Sequence, residues 1–166
     1  MIRELLKNLF LYTTVLAFQL LVFNHINLLG YITPFIYLII FIHFKTSYNK
    51  TSLIFLGFAT GVILDLSMQT YGCHTFATIT ICYLRTWMEK YSFGVNSNLP
   101  NAMISGTQLI NRLIFFGLII IIHSSIYYSL VFFNIELLGT IVLSIIINSI
   151  INFIMIWLIS QLISNK

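Results

Sequence analysis

Charge is what this sequence has least of. Its 166 residues include four Asp/Glu and eight Lys/Arg, 7% in all, beside 59% hydrophobic and 16% aromatic residues. A soluble domain is about a quarter charged, and so few charges cannot coat a soluble globule. With a mean hydropathy of +0.99, the composition excludes an ordinary cytosolic enzyme, a secreted disulfide scaffold and a disordered tail. It leaves a chain whose solvent is mostly lipid. Cysteine is scarce as well. Cys73 and Cys82 fall on one expected helix, separated by about 13 Å of rise, which is beyond disulfide reach. They read as small apolar side chains and say nothing of redox compartment. The pI near 9.2 would suggest nucleic acid in a soluble protein. Here the cations are scattered singly and make no basic groove, so no nucleic-acid partner is expected.

What the sequence has is long apolar runs. They predict an all-α integral membrane protein, a single membrane domain over residues 1–166. Six transmembrane helices are expected, at about 9–29, 31–44, 51–68, 71–88, 112–133 and 137–163, with a cytoplasmic loop at 89–111. The second span opens at Pro34 and is short: about 14 residues reach about 21 Å of a roughly 30 Å core. It must thin the bilayer or borrow length from the turn at 27–31. Charge placement sets the orientation. With both termini inside, Arg3, Lys7, Lys45, Lys50, Arg85, Lys90, Arg112 and Lys166 all fall on the cytoplasmic side. The outer turns near 28–31, 69–71 and 134–136 hold no Lys or Arg, as the positive-inside rule requires. The first run is span-length with no small-residue cleavage site, so it reads as a signal anchor. Trp87 and Tyr91 mark the inner end of the fourth span; Tyr127, Tyr128, Phe132 and Phe133 mark the outer end of the fifth.

Such a chain leaves little room for catalysis, and no enzyme is expected. Ser105, next to Gly106, lies in the expected loop and makes with His123 only a loose hydrolase pair. An aspartyl dyad needs two carboxylates, and Asp65 is the one acid expected within a span. His25, His43, His74 and His123 belong to four different spans and read as lone interfacial or packed histidines, so neither a metal nor a cofactor is expected.

Two faces look built for contact. Gly57, Gly61 and Asp65 recur every fourth residue in the third span. The glycines permit close helix approach, and the carboxylate on the same stripe has to be hydrogen-bonded. Three readings of Asp65 stay open: internal packing with hydrogen bonds from the 67–74 turn, contact with a partner protein, or an ion or proton relay. Ser144, Asn148 and Asn152 form a second stripe in the sixth span, whose amides need partners on another helix, within the chain or on a partner. In His123-Ser124-Ser125 the serines are expected to bond back to their own helix, and no function is attached to them.

The stretch from Gly57 through Gly61, Asp65, Gly72 and His74, followed by Ala77 and Tyr83-Leu84-Arg85, resembles the signature region of the rod shape-determining MreD family in its short Bacteroidota form. The upstream Asn24-His25, Asn27, Gly30-Tyr31 and Pro34 resemble that family's first outer turn. One departure is Thr86, where a proline is expected after Leu-Arg; without it the fourth helix can run on toward Lys90. The resemblance implies a fold similar to the substrate-binding subunits of energy-coupling-factor vitamin transporters. It also implies a non-enzymatic inner-membrane scaffold that binds MreC, associated through the complex with MreB, RodA and its partner transpeptidase. Gly57, Gly61, Asp65, Gly72, His74, Ser144, Asn148 and Asn152 are then the candidate helix-packing or partner-interface residues, with membrane lipids as the surroundings. The alternative is a vitamin-binding transporter subunit. That reading wants an Ala-x-x-x-Ala face in the first span, where Ala17 stands alone, and a lid that the short outer turns cannot build.

Overall fold

A computed structural model describes residues 2–26, 33–44, 49–94 and 108–164. Among these, every regular element is helical and none is a strand. Helix α1 runs Ile2–Leu21 and ends in a 3-10 turn, Phe23–His25. A short helix α2 covers Leu38–His43. Then come α3, Lys50–Met68, and α4, Cys73–Phe93. Helix α5 spans Leu109–Phe132, and a 3-10 turn at Ile135–Leu137 leads into α6, Leu138–Ser164. Three segments, Lys50–Met68, Leu109–Phe132 and Ile135–Leu162, are long and apolar enough to cross a membrane.

The boundaries depart from the sequence reading in three places. The expected second span contains only six helical residues. Pro34 fixes its own φ and disfavours helix at Thr33, so the chain stays non-helical through residues 33–35 and turns at 36–37 before α2 begins. The segment sits at the centre of the bundle, with Tyr37 beside His74 and Phe44 beside Arg85, eleven residues further along α4. Phe35, Tyr37, Leu38, Ile39 and Ile42 are each 0% exposed. Helix α4 continues past the expected loop start to Phe93 and closes on Gly94, whose N–H bonds the Lys90 carbonyl at a φ of +89°; Thr86 supplies no break. Helix α5 begins at Leu109, three residues early. Gly30, Tyr31, Lys45, Ser105, Gly106 and Lys166 lie outside the described residues.

Around an apolar core that includes Phe35, Leu38, Leu64 and Phe115, strong polar groups are buried and apolar ones exposed. Gln19, His74, Arg85, His123, Asn148 and Asn152 are buried, while α6 turns Val142, Ile146, Ile150, Ile154, Leu158 and Leu162 outward.

Helices α3 and α4 make the closest pair. A Cβ added at Gly61 would lie 2.4 Å from the Thr75 Cα and 2.8 Å from its N; at Gly57 it would lie 2.7 Å from Cys82 Sγ. Thr78 Oγ1 donates to the Gly57 carbonyl at 2.9 Å, so the helices touch through backbone. Gly117 meets only the edge of Phe153, at 4.0 Å. Gly61→Leu is therefore expected to lower stability by about 3 kcal/mol or more through overpacking against fixed backbone. Gly117→Ala should be neutral or stabilising by up to about 1 kcal/mol. Thermal unfolding of the two variants in mild detergent checks the contrast.

Candidate functional site

The stretch from Thr33 to Phe44 poses a chemical problem. Its first residues have no helical hydrogen bonds, yet they lie deep in an apolar bundle, where a lone N–H or C=O is costly. Side chains from helices far along the chain answer it. Asn148 Oδ1 accepts from Thr33 N at 2.9 Å, and Asn152 Oδ1 accepts from Phe35 N. Gln19 of α1 uses both ends of its amide: Nε2 donates to the Pro34 carbonyl at 2.9 Å, and Oε1 accepts from Tyr37 N at 3.2 Å. Thr33 Oγ1 and the Tyr128 hydroxyl are 2.8 Å apart.

The far end of α2 is held differently. Its last carbonyls have no partner within the helix. Arg85, on α4, donates through Nη1 to the Phe41 carbonyl and through Nη2 to the Phe44 carbonyl, while its Nε pairs with Glu89 at 2.6 Å. Arg85 is 4% and Glu89 6% exposed. Arg85, expected near the cytoplasmic end of the fourth span, is half of a buried ion pair that caps α2, and Glu89, expected in the loop, lies within helix α4.

Between these ends stands Tyr37. Its hydroxyl is 3.0 Å from His74 Nδ1 and 2.6 Å from His123 Nε2. The hydroxyl has a single proton, so it donates to one imidazole and accepts from the other, which links the two ring tautomers. His74 and His123, expected as lone interfacial or packed histidines, are packed but not alone: α4 and α5 bring them to one hydroxyl, that of Tyr37 just before α2. Their remaining ring nitrogens, His74 Nε2 and His123 Nδ1, are buried without a partner among the described residues. Aromatic rings close the surroundings: Tyr127 lies 4.4 Å from His74 and Phe35 lies 5.2 Å from His123, centroid to centroid. Among the described residues, no three His, Cys, Asp or Glu side chains gather as a metal would need.

Asp65 serves the neighbouring hairpin. Helix α4 starts at Gly72, which has a φ of +97° and no side chain to cap with. The free N–H groups of the first turn go instead to the Asp65 carboxylate from α3. His74 N donates to Oδ1 at 3.0 Å and Thr75 N to Oδ2 at 2.9 Å, and the hydroxyls of Thr70 and Thr75 add two more bonds. This is an N-cap supplied from another helix, with a carboxylate at the positive end of the α4 dipole. Nothing lies within 4 Å of a Cβ built on Gly72; its part is backbone conformation, unlike the close-packed Gly57 and Gly61.

The structure therefore assembles the candidate residues into two connected groups. Gly57, Gly61, Asp65, Gly72 and His74 belong to the α3–α4 hairpin. Asn148 and Asn152 meet not a facing helix but the extended backbone of 33–35, and the Ser144 carbonyl accepts from Asn148 Nδ2 at 2.9 Å. Sequence reasoning missed Gln19, Tyr37, Glu89 and His123. Their signal is a span too short to cross, opening at a proline, with one strong polar group in most of the other spans. An open cleft of about 620 Å³ lies at the α3–α4 turn, between Gln69–Cys73 and Leu130, Val131 and Phe133.

Compared with family models, with curated proteins and with solved structures, the chain matches none.

Tyr37→Phe leaves both facing imidazole nitrogens unpaired and should cost about 1–3 kcal/mol, read as a lowered unfolding midpoint; an unchanged midpoint would remove the hydroxyl bridge from the account. Asp65→Asn keeps one acceptor oxygen, enough for two of the four donors, and should be tolerated better than Asp65→Leu, which abandons all four. Equal loss in the two variants would assign the effect to the charge.

Proposed function

We propose that this chain is an MreD-like, non-enzymatic scaffold of the cytoplasmic (inner) membrane. It crosses that membrane in six segments with both termini inside, binds MreC, and helps couple MreB filaments to peptidoglycan synthesis by RodA and its partner transpeptidase. Its role is then to maintain cell shape.

The observation that carries this reading is that the residues bearing the resemblance form one contact unit. Gly57 and Gly61 admit α4, Asp65 caps it, and His74 ties it to Tyr37 of the central segment. Membrane placement is supported by the many large apolar side chains on the exterior, since lipid is the solvent that tolerates an apolar surface of this extent. A scaffold role is supported by where the central polar groups point: to backbone atoms and to one another, with much of their bonding capacity used in holding the bundle together.

The full-length protein, purified in mild detergent from cells that make both proteins, should carry MreC with it. Gly61→Leu should lose MreC together with rod shape. A preparation free of MreC but holding a vitamin would overturn the scaffold reading in favour of a transporter subunit.

A further inference from the structure

One face of the α3–α4 hairpin is unlike the rest of the exterior. On α4, Tyr83, Trp87 and Tyr91 follow one another at four-residue intervals and are 62%, 54% and 68% exposed. Trp87 and Tyr91 stack, with centroids 5.7 Å apart and planes 22° from parallel. Lys90 is exposed three residues after Trp87, on the same side of the helix. Lys50 opens α3 and holds its ammonium 4.5 Å from the Tyr83 ring centroid. That cation is therefore positioned over the aromatic stripe.

We propose that Lys50, Tyr83, Trp87, Lys90 and Tyr91 form a binding site for the headgroup of an anionic phospholipid. The inference rests on the membrane placement proposed above. Three observations carry it. The first is depth. Counted from Cys73 at the other end of α4, Trp87 is about 21 Å and Lys90 about 26 Å along the axis, which puts Trp87, Lys90 and Tyr91 near one boundary of a roughly 30 Å core, with Tyr83 about one turn deeper. The second is chemistry. Indole and phenol rings lie with an apolar body toward the hydrocarbon and an N–H or O–H toward the headgroups, and ammonium groups beside them attract phosphate. The third is charge balance. Of the acids with described side chains, Asp65 sits at the opposite end of α3, Glu136 lies in the 3-10 turn before α6, and Glu89 is buried against Arg85. Nothing among them neutralises Lys50 or Lys90. Adjacent on α4, Glu89 and Lys90 lie on different faces, the first buried and the second exposed.

The test uses the full-length protein, delipidated in mild detergent, offered phosphatidylglycerol or phosphatidylcholine and read by native mass spectrometry. The wild type should retain phosphatidylglycerol preferentially. The Lys50→Ala/Lys90→Ala double variant should lose that retention by about fivefold per lysine removed, with phosphatidylcholine adducts and the unfolding midpoint unchanged. Equal retention of the two lipids by the wild type, or unchanged retention by the double variant, overturns the site. Soluble glycerol phosphate should fail to displace the lipid; displacement would show a free phosphate ligand and overturn the assignment to a lipid. Flotation with liposomes separates the underlying reading: protein that stays out of the floating fraction at every lipid composition refutes membrane placement itself.

Discussion

The constraint on which this structure depends is the hydrogen-bonding demand of peptide groups that lie deep in the bundle without being helical. A helix meets its own demand; the backbone at Thr33, Pro34 and Phe35 cannot. Each of these residues has a polar atom that must find a side chain, and the side chains come from Gln19, Asn148 and Asn152. Packing alone would allow α1 and α6 to slide and rotate along their apolar surfaces. These bonds fix their register around one point.

Tyr37 extends the same logic to α4 and α5, and Arg85 extends it to the other end of α2. The result is a hub in which the segment from Thr33 to Phe44 touches polar groups from four longer helices. Arg85 shows how strongly context governs charge. Burying it is costly, but Glu89 one turn on and two carbonyls of α2 offset the cost together. The α3–α4 hairpin is the second unit. There the contact is backbone on backbone, and a single carboxylate does for α4 what its own N-cap residue, Gly72, cannot.

Much of this was legible in the sequence, and the rest was hidden for a definite reason. The periodic stripe of Gly57, Gly61 and Asp65 announced a close helix contact with a carboxylate at one end, because spacing along one helix is a local property. The Asn148–Asn152 stripe announced two amides in need of partners. Their partners were not legible, because they are backbone atoms more than a hundred residues away, and backbone leaves no mark in a sequence. His74 and His123 looked isolated for the same reason: they meet only through Tyr37, a residue that composition places among ordinary aromatics. The shortness of the segment after Pro34 was visible. It was the clue to a buried central segment.

The bonds of Asn148 and Asn152 also have an order in time. Thr33 and Phe35 are joined to them across 115 and 117 positions of sequence. At about 5–20 residues per second of synthesis, their acceptors do not exist until roughly 6–23 s after the donors have been made. For that interval the centre of the bundle is incomplete, and the first helices must wait in a loosely arranged state. Helix α6 is thus more than a wall of the bundle: its arrival closes the central hydrogen bonds and fixes the helices around them in one arrangement.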